Sequence, residues 1–153
     1  MKITIEGADK AFAEKLVLLA AQHNAELTVT TVDTTWSVER ALQYLGDLPA
    51  NALRFARLVV DADGSESAET LRAEFADQLR GPTIALSRAV TRGVRKGWWP
   101  EGTAAPVAVK YDPDHPSWQK AIAYTMTSEN VPVFREAFAL MMNPTAEQQE
   151  TRP

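Results

Sequence analysis

Between Arg80 and Lys110 the chain carries six Arg or Lys residues (Arg80, Arg88, Arg92, Arg95, Lys96 and Lys110) against one acid, Glu101. This is a local charge of +5 inside a protein of net charge −4. Cationic side chains gathered in this way bind anions, and local field rather than net charge attracts a polyanion. No acid lies between Arg80 and Lys96, so ion pairs at four-residue spacing cannot neutralise the segment from within. Nucleic acid is the first partner to weigh, an acidic protein surface the second and plain solvent the third.

Residues suited to bond-making chemistry are sparse. The chain has no cysteine, which excludes disulfides, thiolate nucleophiles and Cys-based zinc sites. His23 and His115 are the only histidines, and neither sits in a spacing that makes a metal site or a catalytic triad. Gly81, Gly93, Gly97 and Gly102 are too dispersed for a phosphate loop, and no Gly-Lys-Ser/Thr occurs. Asp61-Ala62-Asp63-Gly64-Ser65-Glu66 has the start of a calcium loop, but Arg72 stands where a closing Glu is needed. Turn chemistry of Asp and Gly accounts for it better. No enzymatic activity, cofactor or metal is expected. Trp98 and Trp99 suit either base stacking or an apolar anchor, the anchor being the commoner use of such a pair.

The basic residues need an element to hold them. On a helical wheel Ala85, Leu86, Ala89, Val90, Gly93 and Val94 share one arc, with Ile84, Ser87, Arg88, Thr91, Arg92 and Arg95 opposite. Pro82 suits a first helical turn and Gly97 a C-terminal cap, so the spacing predicts a helix over 82–96. Upstream, Ser67 is a candidate N-cap for a helix of about three turns whose stripe is Leu71, Phe75 and Leu79. A turn at Leu79, Arg80 and Gly81 joins the two. Downstream, Val107–Tyr111 and Trp118–Met126 read as strands around the turn-rich 112–116.

This order of helix, turn, helix and hairpin resembles the winged helix-turn-helix family of DNA-binding regulators over roughly Ser37 to Leu140. The likeness is strongest at Ser87-Arg88-Ala89-Val90-Thr91-Arg92 and Arg95-Lys96-Gly97-Trp98-Trp99. In that family the second helix enters the major groove and the hairpin touches flanking backbone. The resemblance implies that Thr83, Ser87, Arg88, Thr91 and Arg92 face the groove, with Arg80, Arg95 and Lys96 nearer the phosphates. Ile84, amid the basic face, would meet an apolar base edge such as a thymine methyl. The expected partner is double-stranded DNA, read by a homodimeric transcriptional regulator. Winged helices also serve as protein-binding modules, and Asp112 and Asp114 at the hairpin turn would repel phosphate. An assembly adaptor without DNA binding is therefore the competing reading.

At 153 residues, 45% hydrophobic and 24% charged, the chain fits one globular α+β domain with a small appendage. Residues 1–32 read as strand, helix, strand, with Lys2-Ile3-Thr4-Ile5 and Leu27 to Val32 alternating about a helix from Asp9 to Ala25. So short a unit buries little apolar surface, which predicts docking or dimerisation. Residues 33–142 form the winged-helix domain. Within it, Trp36–Asp61 is helical in two pieces broken at Asp47-Leu48-Pro49, and a final amphipathic helix runs from Glu129 to about Met142. Residues 143–153 are polar and expected to be a disordered tail. No secretion signal or membrane span is read, so a cytoplasmic, non-membrane protein is expected.

Overall fold

A computed structural model describes residues 2–6, 9–22, 26–30, 32–115 and 120–143. The protein is α+β: β1 (Lys2–Glu6), α1 (Lys10–Gln22), β2 (Glu26–Thr30), α2 (Val38–Gly46), α3 (Ala50–Asp61), β3 (Ser65–Ser67), α4 (Ala68–Glu74), α5 (Arg80–Arg95), β4 (Ala108–Tyr111), β5 (Ala121–Thr125) and α6 (Asn130–Met142). It divides into two compact units, one of Met1–Thr35 with Trp99–Thr103, the other of Trp36–Trp98 with the chain from Ala104 onward.

In the first unit β1 and β2 pair in parallel, in a register that sets Ile3 beside Leu27 and Ile5 beside Val29. Parallel strands need a crossover connection, and α1 lies between them in sequence. The Asp9 carboxylate accepts from the Phe12 N–H at 2.7 Å and so caps the start of α1. The run Leu16 to Ala21 has no polar residue in more than one full turn, so α1 is apolar on every side there. Phe12, Val17, Leu18 and Leu19 are accordingly exposed, Leu18 at 65%.

The second unit closes a core. Ser37 caps α2 by accepting from the Arg40 N–H at 3.2 Å. The break expected at Asp47-Leu48-Pro49 separates α2 from α3, with Pro49 as the N-cap of α3. Trp36, Tyr44 and Phe134 meet edge-on, Trp36 lying 5.2 Å from Tyr44 and 5.4 Å from Phe134 between ring centroids, which locks α2 against α6. Phe55 of α3 meets Tyr124 of β5 at 5.0 Å and Phe75 at 5.6 Å. Phe55 and Phe134, fully buried, each remove enough apolar surface from water to contribute about 2–3 kcal/mol.

The sheet of this unit is antiparallel in the order β3-β5-β4. The hairpin strands fall near their expected places, although residues 116–119 lie outside the described ones. β3 was not expected. Its three residues are polar and too few to show alternation, and it exists because Ser65 and Ser67 pair with Thr125 and Ala123. Gly64 makes that entry possible. Its φ is +91°, and a Cβ there would lie 2.6 Å from Val131 Cγ2 and 2.7 Å from the Met126 carbonyl oxygen.

The expected 67–79 helix is shorter than its stripe suggested. Ser67 caps it as predicted, accepting from the Thr70 N–H at 3.1 Å, but α4 ends at Glu74 and Ala76 and Asp77 turn left-handed, at φ 51° and 62°. Packing of Phe75 on Phe55 and burial of Leu79 override the helical preference of Ala76. Residues 144–153, expected as a disordered tail, lie outside the described residues.

Candidate nucleic-acid interface

α5 starts at Arg80, with Pro82 as its third residue, and buries Pro82, Leu86, Ala89 and Gly93, a stripe spaced four, three and four residues apart. Gly93 thus sits on the packed face. The helix ends on Gly97 at φ +77°, where the Gly97 N–H donates to the Val94 carbonyl (3.1 Å) and the Trp98 N–H to the Gly93 carbonyl (2.8 Å). This paired closure is the glycine cap expected from sequence. The Tyr44 hydroxyl donates to the Leu86 carbonyl at 2.9 Å, pinning the middle of α5 to α2. Burial holds that phenol well above the usual tyrosine range, offset in part by the Arg92 charge. Tyr124 is raised the same way, chiefly by burial.

With the inner face fixed, the outer one is fixed too. At 3.6 residues per turn Arg80, Ile84, Ser87, Arg88, Thr91 and Arg95 fall within an arc of about 100° on a stripe about 22 Å long. Ile84 is half-buried and the other five are exposed. Arg80, Arg88 and Arg95 make no ion pair among the described residues. Two acids of the preceding segment have other contacts: Glu74 binds Arg54, and Glu66 accepts from the Ser67 N–H at 2.9 Å.

The other three expected contact residues leave this arc. Arg92 Nε donates to Asp47 Oδ2 at 2.9 Å, and a terminal nitrogen lies 3.5 Å from the Asp47 carbonyl oxygen. With 35% and 21% of their side chains exposed, the pair contributes about 0.5–1 kcal/mol and ties α5 to the α2–α3 turn. Thr83 turns its hydroxyl back to the Leu79 carbonyl at 2.8 Å. Lys96 Nζ stands 4.5 Å over the Trp98 ring, a cation–π contact. Trp98 is half-buried and Trp99 buried, so Trp99 offers no stacking face.

An open groove of about 750 Å³ runs beside the N-terminal half of α5, lined by Arg80, Ile84, Ala85, Arg88 and Arg92 with Pro49, Asp77 and Gln78 from the preceding turns. Asp47, Tyr44 and these turn residues are the members of the site that sequence reasoning missed. Asp47 is 45 residues from Arg92 and no local spacing links them. At the hairpin turn the Asp112 carboxylate accepts from the Asp114 N–H at 2.9 Å, and Val109, Tyr111 and Ile122 are exposed on the strands. His115 is exposed there, while His23 lies outside the described residues.

Among the described residues no group of three or more Asp, Glu or His stands placed to hold a metal ion, and no helix is long and apolar enough to cross a membrane. No protein-family model matches the chain, and neither does any curated protein or solved structure.

Proposed function

We propose that the protein is a cytoplasmic, sequence-reading DNA-binding protein of winged helix-turn-helix type, acting as a homodimeric transcriptional regulator. The observation that carries this reading is the outer arc of α5: three arginines free of ion pairs among the described residues, on a helix whose opposite face is anchored in the core. Two helices joined by a short turn and followed by a hairpin, with β3 closing the sheet against β5, supply the order such a domain requires. Arg88 then reads a base or grips a phosphate, Arg80 and Arg95 grip phosphates, and Ser87 and Thr91 complete the face. Arg92 acts as a strut through Asp47, and Lys96 as a neighbour of the face. A second copy joined through the first unit would cover the apolar sides of α1.

The test is fluorescence anisotropy of the whole chain with a pool of labelled duplexes at two salt concentrations. Binding that weakens steeply with salt is the expected result, whereas no binding by folded protein at low salt would overturn the reading. A second reading is favoured by the hairpin, whose acidic turn and exposed Val109, Tyr111 and Ile122 suit a protein partner better than a phosphate backbone. In that case the fold serves as an interaction module, and its binding need not fall with salt.

A further inference from the structure

The parallel sheet of the first unit has two open edges among the described residues. Each strand has one neighbour, so β1 and β2 each present a row of unpaired N–H and C=O groups. Two strands alone are marginal, and further strands over an apolar face are what make a sheet stable. Successive residues of a strand alternate between faces, so Ile3 and Ile5 share one face with Leu27 and Val29, and Lys2, Thr4 and Glu6 share the other with Glu26, Thr28 and Thr30.

β1 is complementary to itself. Laid antiparallel on a second copy about Thr4, the run Lys2-Ile3-Thr4-Ile5-Glu6 sets Lys2 opposite the partner's Glu6, Ile3 opposite the partner's Ile5 and Thr4 opposite the partner's Thr4. Opposite charges then meet at both ends of the ladder, and the apolar face continues across the junction. A slip of one residue sets Ile5 beside Lys2, and a slip of two shortens the ladder and matches no charges. The other edge fits a copy of itself less well: β2 paired about Thr28 sets Glu26 opposite Thr30, with no opposite charge. Pairing β1 of one copy with β2 of the next leaves a free edge at each end, whereas β1 on β1 uses one patch twice and closes.

We infer that two copies of the chain join through β1, antiparallel about Thr4, in one sheet ordered β2-β1-β1-β2. This rests on the homodimer of the reading above, whose interface it specifies, and does not depend on DNA. α1 packs against β2, and a two-fold axis perpendicular to the sheet keeps both α1 helices on one face. The two β2 strands lie three spacings apart, about 14 Å. Helices about 10–12 Å across that pack on them become neighbours, which brings together the elements carrying the exposed Phe12, Val17, Leu18 and Leu19.

The chain has no cysteine, so Thr4→Cys introduces one thiol per copy. In the inferred pairing the two Cα atoms at this position stand opposite each other at about 4.5–5.5 Å, within the span of a disulfide. The whole chain is oxidised mildly at a concentration where sedimentation velocity shows a dimer. Thr4→Cys is expected to run as a cross-linked dimer on a non-reducing gel, and Thr28→Cys, at the centre of β2, as a monomer. Glu6→Lys sets like charges opposite each other at both ends of the ladder and, with its fold checked by circular dichroism, is expected to raise the dimer dissociation constant about tenfold. Should Glu6→Lys misfold, the two cysteine variants still decide. Cross-linking through Thr28→Cys, through both variants equally or through neither, or a dimer unmoved by folded Glu6→Lys, overturns this inference and leaves a homodimer built through another surface. A monomer at every concentration overturns the homodimer and the inference together, and leaves duplex binding to its own test.

Discussion

The two units solve the problem of apolar surface in opposite ways. In the second, α5 is one-sided: it buries Pro82, Leu86, Ala89 and Gly93 and turns Arg88, Thr91 and Arg95 outward. In the first, α1 is apolar on all sides over Leu16 to Ala21, and its two-stranded parallel sheet has too few residues to enclose it. A unit that satisfies its own core can hold charge on a rigid outer face, since nothing else is asked of that face. A unit that cannot do so carries its function in what covers it.

The largest effect expected from this contrast is in the core of the second unit. Phe134→Ala should lower unfolding free energy by about 3–5 kcal/mol, whereas Leu18→Ser, on exposed α1, should change it by less than about 0.5 kcal/mol and weaken self-association in sedimentation velocity. Equal losses of stability from the two would erase the distinction between the units. Next comes Gly64→Ala, which combines a left-handed φ with a clash against the Met126 carbonyl, for a loss of about 3 kcal/mol by denaturant titration.

Tyr44→Phe tests the pin between α2 and α5. Loss of the bond to Leu86 costs about 1 kcal/mol at neutral pH. The phenol, held above its ordinary value in the folded protein, stays protonated there while the unfolded chain ionises near pH 10. Its contribution is full below about pH 10 and is lost as pH rises through the folded value. Denaturation midpoints from pH 7 to 11 should therefore fall less steeply for Tyr44→Phe than for the parent, and parallel declines would count against the pin. The smallest effect is a gain: Ala76→Gly relieves a left-handed alanine and should stabilise by about 0.5 kcal/mol after the entropy cost of glycine. A loss in thermal melting would mean that the turn is not strained.

Most of this architecture was legible in the sequence because it is written in local signals. Ser37 was missed as a cap, but Ser67, Pro82 and Gly97 mark element ends through their own backbone chemistry, and the stripe at Leu86, Ala89 and Gly93 sets the inner face of α5. Tertiary contacts decided what those signals did not contain. β3 depends on pairing with residues about sixty positions away, α4 stops early because Phe75 packs on Phe55, and Arg92 is tied to Asp47. Six of the nine expected contact residues share the outer arc; Thr83, Arg92 and Lys96 fall outside it by their helical positions, and only the Asp47 partner of Arg92 lies beyond the reach of local spacing.

The most direct test of the central claim is the slope of log Kd against log salt for duplex binding, measured for the parent, for Arg88→Ala/Arg95→Ala and for Arg92→Ala. If the outer arc is the surface that meets DNA, the double variant lowers the slope by about two phosphate contacts while Arg92→Ala, kept folded, leaves it unchanged. A slope lost equally with Arg92→Ala, or unaltered in the double variant, would contradict it.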